Sequence, residues 1–497
     1  MNEGPCMESK IFRPSGVVKS VRIYLPTIFL YRGLSFIRGV VLIWLLAKQT
    51  GQLTLLTLAL QSLNIIVPLA ALGIHEAITR YVPAYQTRKK LNSFLGLGGG
   101  LIVGVALGAT MVLLLFAVPL GHVIFAGENL TSSNVLPLTR VTFITGFTLI
   151  VYFLIAAILK GLRMFPALAA MELFHGVFYF ILTILALKYI GPEATYVMWT
   201  YVIALMVPAI IWGLVLRNKL PEDEDSAIGL EFRPLAKQLI GYGIWSALGG
   251  IVWQTWQVYS LWHLTQFDTA LHGDIFATSR QLGQLIFIFG AAAAGVVMTS
   301  VCSIWEKGAR KQANTQFDLY AKLALLALLI TAIALTAFRV PLTIIFPKRL
   351  SQFAQILPQT FLFFQFLSAL AFISIQFVMI EKLHLIFLAW LTGLAANIAL
   401  CFLWIKPDAA LAGAANAAAW SCVPAILVAL GLIALKKQPI SPGMVVMILA
   451  SFLLLLPAWC AGILVLILFV WSIIGNQIFD DEQRAMMIQR FFDRRIQ

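Results

Sequence analysis

The chain of 497 residues is 61% hydrophobic and 11% charged, with a mean hydropathy of +0.92, far too apolar for a soluble protein of its length. Its net charge of +14 is spread over short loops, so it reads as an orientation signal and an attraction to anionic lipid, and a nucleic-acid partner is excluded. Five cysteines, Cys6, Cys302, Cys401, Cys422 and Cys460, show no CxxC and no histidine at ligand spacing, which argues against disulfides and structural zinc.

The first 22 residues are polar and basic and lack the apolar core and cleavage site of a signal peptide, so the first helix is expected to stay in the mature protein. Apolar runs long enough to cross about 30 Å of hydrocarbon predict helices over 23–47, 53–79, 94–118, 136–159, 165–187, 194–216, 238–263, 275–302, 318–340, 355–380, 385–405, 411–435, 443–458 and 460–477. The fold class is therefore all-α and polytopic, with about fourteen transmembrane helices. The last two share one apolar block broken at Pro457-Ala458-Trp459, so a re-entrant pair and about twelve helices is the alternative count. In domains, 1–22 is a cytoplasmic tail, 23–216 a six-helix bundle, 217–237 a cytoplasmic linker and 238–435 a second six-helix bundle. An additional helix pair at 443–477 and an amphipathic tail at 478–497, with Ile488, Phe492 and Ile496 on one face, complete the chain.

Positive residues near helix ends are retained in the cytoplasm. With the N-terminus inside, roughly 25 of the 35 Lys and Arg fall in inside loops. Both termini are then cytoplasmic, and the outer loops are too short for the carboxylate-bearing loop that a membrane glycosyltransferase or polymerase needs.

Features recur at an offset of about 220 residues: Gln61 pairs with Gln281, Tyr85 with Trp305, Lys160 with Glu381 and Gly191 with Gly413. In both halves a helix pair ends in an aromatic and a basic loop, "RYVPAYQTRKK" and "SIWEKGARKQ". Two matched parallel bundles suit a transporter working by alternating access.

The stretch "FIRGVVLIWLLAKQTGQLTLLTLALQSLNIIVPLAALGIHEAITRYVPAY", with "KGLRMFPALAAMEL", the run from Gly413 to Ala419 and the tail "IFDDEQRAMMIQRFF", resembles the polysaccharide flippases, Wzx-like proteins of the multidrug/oligosaccharidyl-lipid/polysaccharide exporter superfamily. That resemblance implies a non-enzymatic, cofactor-free transporter of the cytoplasmic (inner) membrane. Its substrate would be a polyprenyl-pyrophosphate-linked oligosaccharide, moved to the outer leaflet for cell-surface polysaccharide biosynthesis, with other polysaccharide-assembly proteins as partners. One departure lies at the turn after helix one, where Lys48-Gln49-Thr50-Gly51-Gln52 replaces the family's Gly-Pro-acidic turn. Lipid II flippases similarly carry two arginines six apart in helix one and another in helix eight, matched here by Arg32, Arg38 and Arg280. They also have an acidic residue where this chain has Gln52-Leu53, so lipid II is not assigned.

The arginines can be read independently of family. A mid-helix arginine facing lipid costs about 2.5–3.5 kcal/mol. At helical spacing, Thr27, Tyr31, Arg32, Ser35, Arg38 and Gly39 share one face of helix one, while Leu30, Phe36, Ile37 and Val41 take the other. Guanidinium groups grip phosphate oxygens in bidentate fashion, so Arg32 and Arg38 are expected to bind the pyrophosphate, and Arg280 to close the clamp from the second half. The bland alternative has Arg32 and Arg280 reaching toward the membrane surfaces. Gln254, Gln257 and Gln281, with Gln284, are secondary candidates for sugar hydroxyls, interhelical bonding being the alternative. Glu76, Glu172 and His175 are candidates for ion coupling, against packing. Gly96, Gly100, Gly104 and Gly108 form a small-residue stripe expected to admit a neighbouring helix. A multidrug or cation antiporter of the same superfamily, the rival reading, would need buried acidic residues, whereas the deep charges here are mainly cationic.

Overall fold

The computed structural model describes residues 17–125, 135–162, 164–220, 231–306, 308–380, 382–474 and 478–485. Outside the described residues lie most of the N-terminal tail, Glu381, the tail positions Ile488, Phe492, Arg494 and Ile496, and the side chains of Arg32 and Arg80.

All the regular structure described is helical: α1 (Val17–Leu46), α2 (Gln52–Ala71), α3 (Ile74–Thr87), α4 (Leu91–Leu115), α5 (Ala117–Phe125), α6 (Val135–Gly161), α7 (Phe165–Tyr189), α8 (Ala194–Arg217), α9 (Phe232–Phe267), α10 (Ala270–Glu306), α11 (Arg310–Ala337), α12 (Arg339–Ile345), α13 (Phe353–Met379), α14 (Leu383–Trp404), α15 (Ala410–Leu435), α16 (Pro442–Ala450) and α17 (Ala458–Ile474). Among the described residues nine helices are long and apolar enough to cross a membrane, with shorter apolar helices at Gly33–Leu46, Pro442–Leu455 and Ala458–Ser472. Each expected span has a helical counterpart. A bilayer offers the backbone no water to bond, so an apolar run long enough to cross it satisfies its own peptide groups as helix.

The differences from expectation have local causes. The span expected at 53–79 is broken, because Leu72 and Gly73 both adopt left-handed backbone, φ 48° and 63°, ending α2 and redirecting the chain into α3. The last apolar block is interrupted before Ala458, where its sequence placed the break. Ser441 caps α16 by accepting from the Met444 amide at 3.1 Å, the helix tightens into a 3-10 turn over Ser451–Leu455, and Pro457 precedes α17. The glycine stripe on α4 does not receive a helix: at Gly96, Gly100, Gly104 and Gly108 an added Cβ would meet nothing among the described residues within 4 Å. The opposite face, with Gly98, Ile102 and Ala106, is the buried one.

The chain divides into two compact units, Met1–Val258 and Tyr259–Gln497. In the first, α6 is the central helix, 72% buried over its apolar window and packed by α2, α3, α4 and α8, while α1 lies on α7. Its Thr139, Thr142 and Thr145 hydroxyls bond carbonyls one turn back, so polar side chains are satisfied without water. The N-terminal part of α9 belongs to this unit and runs along the α2–α3 break. Gly243 meets Gly73 so closely that a Cβ on either would strike the other's backbone. Leu239 packs at Gly98, Tyr242 sets its ring 6.1 Å from Tyr81, and the Tyr85 hydroxyl donates to Gln238 at 3.3 Å.

In the second unit α13 is central, 83% buried, and packs on α10, α11 and α15. Gly283 and Gly290 of α10 accept α13 at van der Waals range, where a Cβ would collide with Phe364 and Ser368. The order α4–α5–α6–α7–α8 recurs as α11–α12–α13–α14–α15 at the offset of about 220 residues.

Candidate functional site

Helix α1 turns Leu30 and Ile37 outward, 61% and 54% exposed, while Tyr31, Ser35 and Arg38 are half-buried. Arg38 donates from Nη2 to Ser35 Oγ at 3.0 Å, and its guanidinium carbon lies 4.1 Å from the centroid of the Tyr179 ring on α7. Its Nε has no hydrogen-bond partner among the described residues. One helical turn before Tyr179, His175 is buried at the centre of an aromatic ring. The Tyr152, Tyr201, Tyr179 and Tyr31 centroids stand 5.2, 5.7, 6.1 and 6.2 Å from its own, and Tyr179 stacks on Tyr201 at 4.6 Å. Gly176 makes room for Tyr31, because a Cβ there would lie 2.7 Å from the tyrosine ring. Both imidazole nitrogens and the Tyr179 hydroxyl are buried without a hydrogen-bond partner among the described residues. Glu172, half-buried, sits one turn before His175 on the same helix.

In the second unit Arg280 of α10 is 2% exposed. Its guanidinium lies 5.6, 5.9 and 6.0 Å from the rings of Phe364, Phe363 and Phe276, a cation held against aromatic faces. Gln281 and Gln284 beside it are half-buried. Gln254 is half-buried and Gln257 buried on α9, in the part assigned to the first unit. Glu76 is largely exposed, with His75 Nε2 3.7 Å away, and His75 stacks on Phe153 at 5.7 Å. The structure thus gathers Arg38 and His175 into one cluster, with Glu172 next to it, and places Arg280 and Gln281 in the other unit. Arg32 stands on α1 with its side chain outside the described residues.

Two arrangements were not anticipated. The four tyrosines around His175 come from α1, α6, α7 and α8, and only the four-residue spacing of His175 and Tyr179 hinted at a shared face. Lys322 is 2% exposed on α11. It pairs with Asp318 and donates to the Ile478 carbonyl at 2.6 Å. Asp318 in turn accepts from Ser441 Oγ at 2.5 Å and Gln483 Nε2 at 2.8 Å. The network ties the segment after α17 to α11 and α16. No group of three or more metal-ligating side chains occurs among the described residues.

The described residues form a helical membrane fold of two compact units, with a half-buried arginine, Arg38, in the first and a buried one, Arg280, in the second. Solved structures place the fold further. It is similar to the lipid II flippase MurJ in its inward closed conformation, with TM-score 0.65 and 16% identity over 90% of this chain and 98% of that one. It is also similar to an outward-facing multidrug resistance MATE transporter of the MOP superfamily, with TM-score 0.61 and 15% identity over 84% and 96%. A third similar structure is a MOP-superfamily transporter from Pyrococcus furiosus whose binding pocket is described as of reverse polarity, with TM-score 0.60 and 13% identity over 84% and 96%. At these identities the likeness is one of fold. No protein-family model matches the chain, and no curated protein sequence is similar to it.

Proposed function

We propose that the protein is a membrane transporter that turns a polyprenyl-pyrophosphate-linked oligosaccharide from the cytoplasmic to the outer leaflet, by alternating access, for cell-surface polysaccharide biosynthesis. The observation that carries this reading is Arg38. Its contacts are a serine hydroxyl and a tyrosine face, and no carboxylate pairs with it among the described residues. A guanidinium set into an apolar helix costs about 2.5–3.5 kcal/mol, and an anionic substrate supplies the missing partner. Arg280, Arg32, Gln254, Gln257 and Gln281 are the further substrate residues of this reading, and both termini are cytoplasmic in it. The superfamily's multidrug transporters, which the fold equally resembles, suggest a cationic cargo instead. That cargo needs a carboxylate to receive it. Asp274, buried on α10, has Arg349 4.0 Å away, and Asp318 is paired with Lys322, so both already face a cation.

The test is reconstitution in proteoliposomes with fluorescent polyprenyl-pyrophosphate-linked glycans on one leaflet, followed by leaflet-specific quenching. Time-dependent loss of protection with wild-type protein, abolished by Arg38→Ala at equal incorporation, is the expected result. A wild-type rate equal to that of empty liposomes, with a lipophilic cation transported instead, would assign the cationic cargo.

A further inference from the structure

Arg38 Nε, His175 Nδ1, His175 Nε2 and the Tyr179 hydroxyl are buried without hydrogen-bond partners among the described residues, on two helices that pack together, α1 and α7. Each buried donor or acceptor left unsatisfied costs about 1–3 kcal/mol. Several of them in one cluster mark a place where something polar binds.

The donor and acceptor inventory says what. Arg38 Nε can only donate, and the Tyr179 hydroxyl can donate. A neutral imidazole donates from one nitrogen and requires a donor at the other, which leaves one acceptor stranded among donors. One added proton makes all four atoms donors. A donor-only set is the complement of an oxyanion, whose lone pairs satisfy several N–H and O–H groups at once. Electrostatics point the same way. An imidazolium beside a guanidinium is repelled, and an anion between them turns the repulsion into attraction. Proton and anion therefore favour each other's binding.

We propose that Arg38, His175 and Tyr179 form a site that takes up an oxyanion of the pyrophosphate-diester class together with one proton, which resides on His175. The proposal rests on the pyrophosphate-lipid reading above and adds that recognition of the anion consumes a proton. The groups around His175 are Tyr31 and Arg38 from α1, Tyr152 from α6, Glu172 and Tyr179 from α7, and Tyr201 from α8. Arg32 is the other charge on this part of α1. Guanidinium and phenol groups do not as a class change protonation near neutral pH. Glu172 is the one alternative carrier of the proton, and a variant separates it from His175.

Full-length protein in nanodiscs is titrated with two pyrophosphate diesters, soluble dimethyl pyrophosphate and a polyprenyl-pyrophosphate-linked sugar. A monoester has an ionisation near about pH 6, whereas a diester brings no group of its own that titrates close to neutrality. Calorimetry in two buffers of different ionisation enthalpy counts the protons taken up. Wild-type protein is expected to take up close to one proton per diester, and its affinity to fall by up to about tenfold per unit as pH rises from about 6 to about 8. His175→Gln should bind more weakly, with no proton uptake and a flat pH profile, while Glu172→Gln keeps the uptake and the slope. Uptake with both diesters assigns the site to the pyrophosphate group, and uptake with the lipid-linked form alone assigns it to the lipid substrate; either supports the proposal. Diester binding by wild-type protein without proton uptake overturns it and leaves the transporter reading standing, whatever the variants do. A slope lost in Glu172→Gln and kept in His175→Gln also overturns it. Binding of neither diester overturns both readings.

Discussion

The contact between Gly243 and Gly73 admits a sharp perturbation. A Cβ on Gly243 would fall against the Leu72 carbonyl oxygen and lie 2.7 Å from the Gly73 carbonyl carbon. Carbon atoms pack at about 3.5–4.0 Å, so Gly243→Ala must push the two backbones apart by roughly 1 Å. Backbone atoms cannot rotate away as a flexible side chain would. Overpacking of this kind costs about 1–3 kcal/mol, which corresponds to about a 5- to 150-fold change in an equilibrium constant. The contacts strung along the same face of α9 depend on that approach: Leu239 at Gly98, Tyr242 on Tyr81 and Gln238 on Tyr85. Leu239 is fully buried, with 0% exposure, and reports their opening. In a cysteine-free background, Leu239→Cys is labelled with a maleimide in inside-out vesicles, at reagent levels where labelling tracks the population of the open form. Adding Gly243→Ala should raise the rate about 5- to 150-fold. Gly241→Ala is the control, because a Cβ there meets nothing within 4 Å and only the modest helix-propensity gain of about 1 kcal/mol remains. An unchanged rate in Gly243→Ala protein of normal abundance, or an equal rise in Gly241→Ala, would refute the close approach of α9 to the α2–α3 break.

Arg38→Ala should lower flipping of a pyrophosphate-linked glycan by the equivalent of about 2–5 kcal/mol, with Arg38→Lys recovering only part because an ammonium lacks the planar fork; full transport by the alanine variant would remove Arg38 from the site. Lys322→Met leaves Asp318 without its counter-charge, so a loss of about 3–5 kcal/mol should appear as a lower Tm in detergent. The double variant Lys322→Met, Asp318→Leu should lose less, and an unchanged Tm in the single variant would show that the pair bears no load. In intact cells an impermeant thiol reagent should label Gln49→Cys and spare Lys89→Cys and Lys311→Cys, all three positions being exposed; labelling of position 89 from outside would invert the topology.

How far such features could be read in advance depends on whether their cause is local. Helix positions were legible along nearly the whole chain because the bilayer's demand for internally bonded backbone acts on each apolar run by itself. The ends moved outward by several residues, as α9 and α10 show, since polar residues beyond the hydrocarbon extend a helix at little cost. The break at Leu72-Gly73 was not legible, because an isolated glycine in an apolar run is as compatible with continuous helix as with a turn. The α4 stripe misled for a related reason: glycine spacing states that a helix can approach, not that one does. On α1 the outward placement of Leu30 and Ile37 followed from periodicity. The surroundings of Arg280 could not, because Phe363 and Phe364 arrive from α13, far along the chain, on a helix whose close approach to α10 needs the missing side chains of Gly283 and Gly290. Lys322 makes the point most clearly. Counting basic residues near helix ends treats every lysine as a solvated orientation charge, and for most of them that is sound physics. Lys322 differs because Asp318, one turn before it, is itself engaged by Ser441 and Gln483 from more than about a hundred residues away, and because the Ile478 carbonyl closes over the ammonium. The i, i+4 pair alone is indistinguishable from an exposed helix pair worth a few tenths of a kcal/mol. Burial by the segment after α17 is what converts it into a constraint on the fold, and burial is a property of the partner segment rather than of the pair.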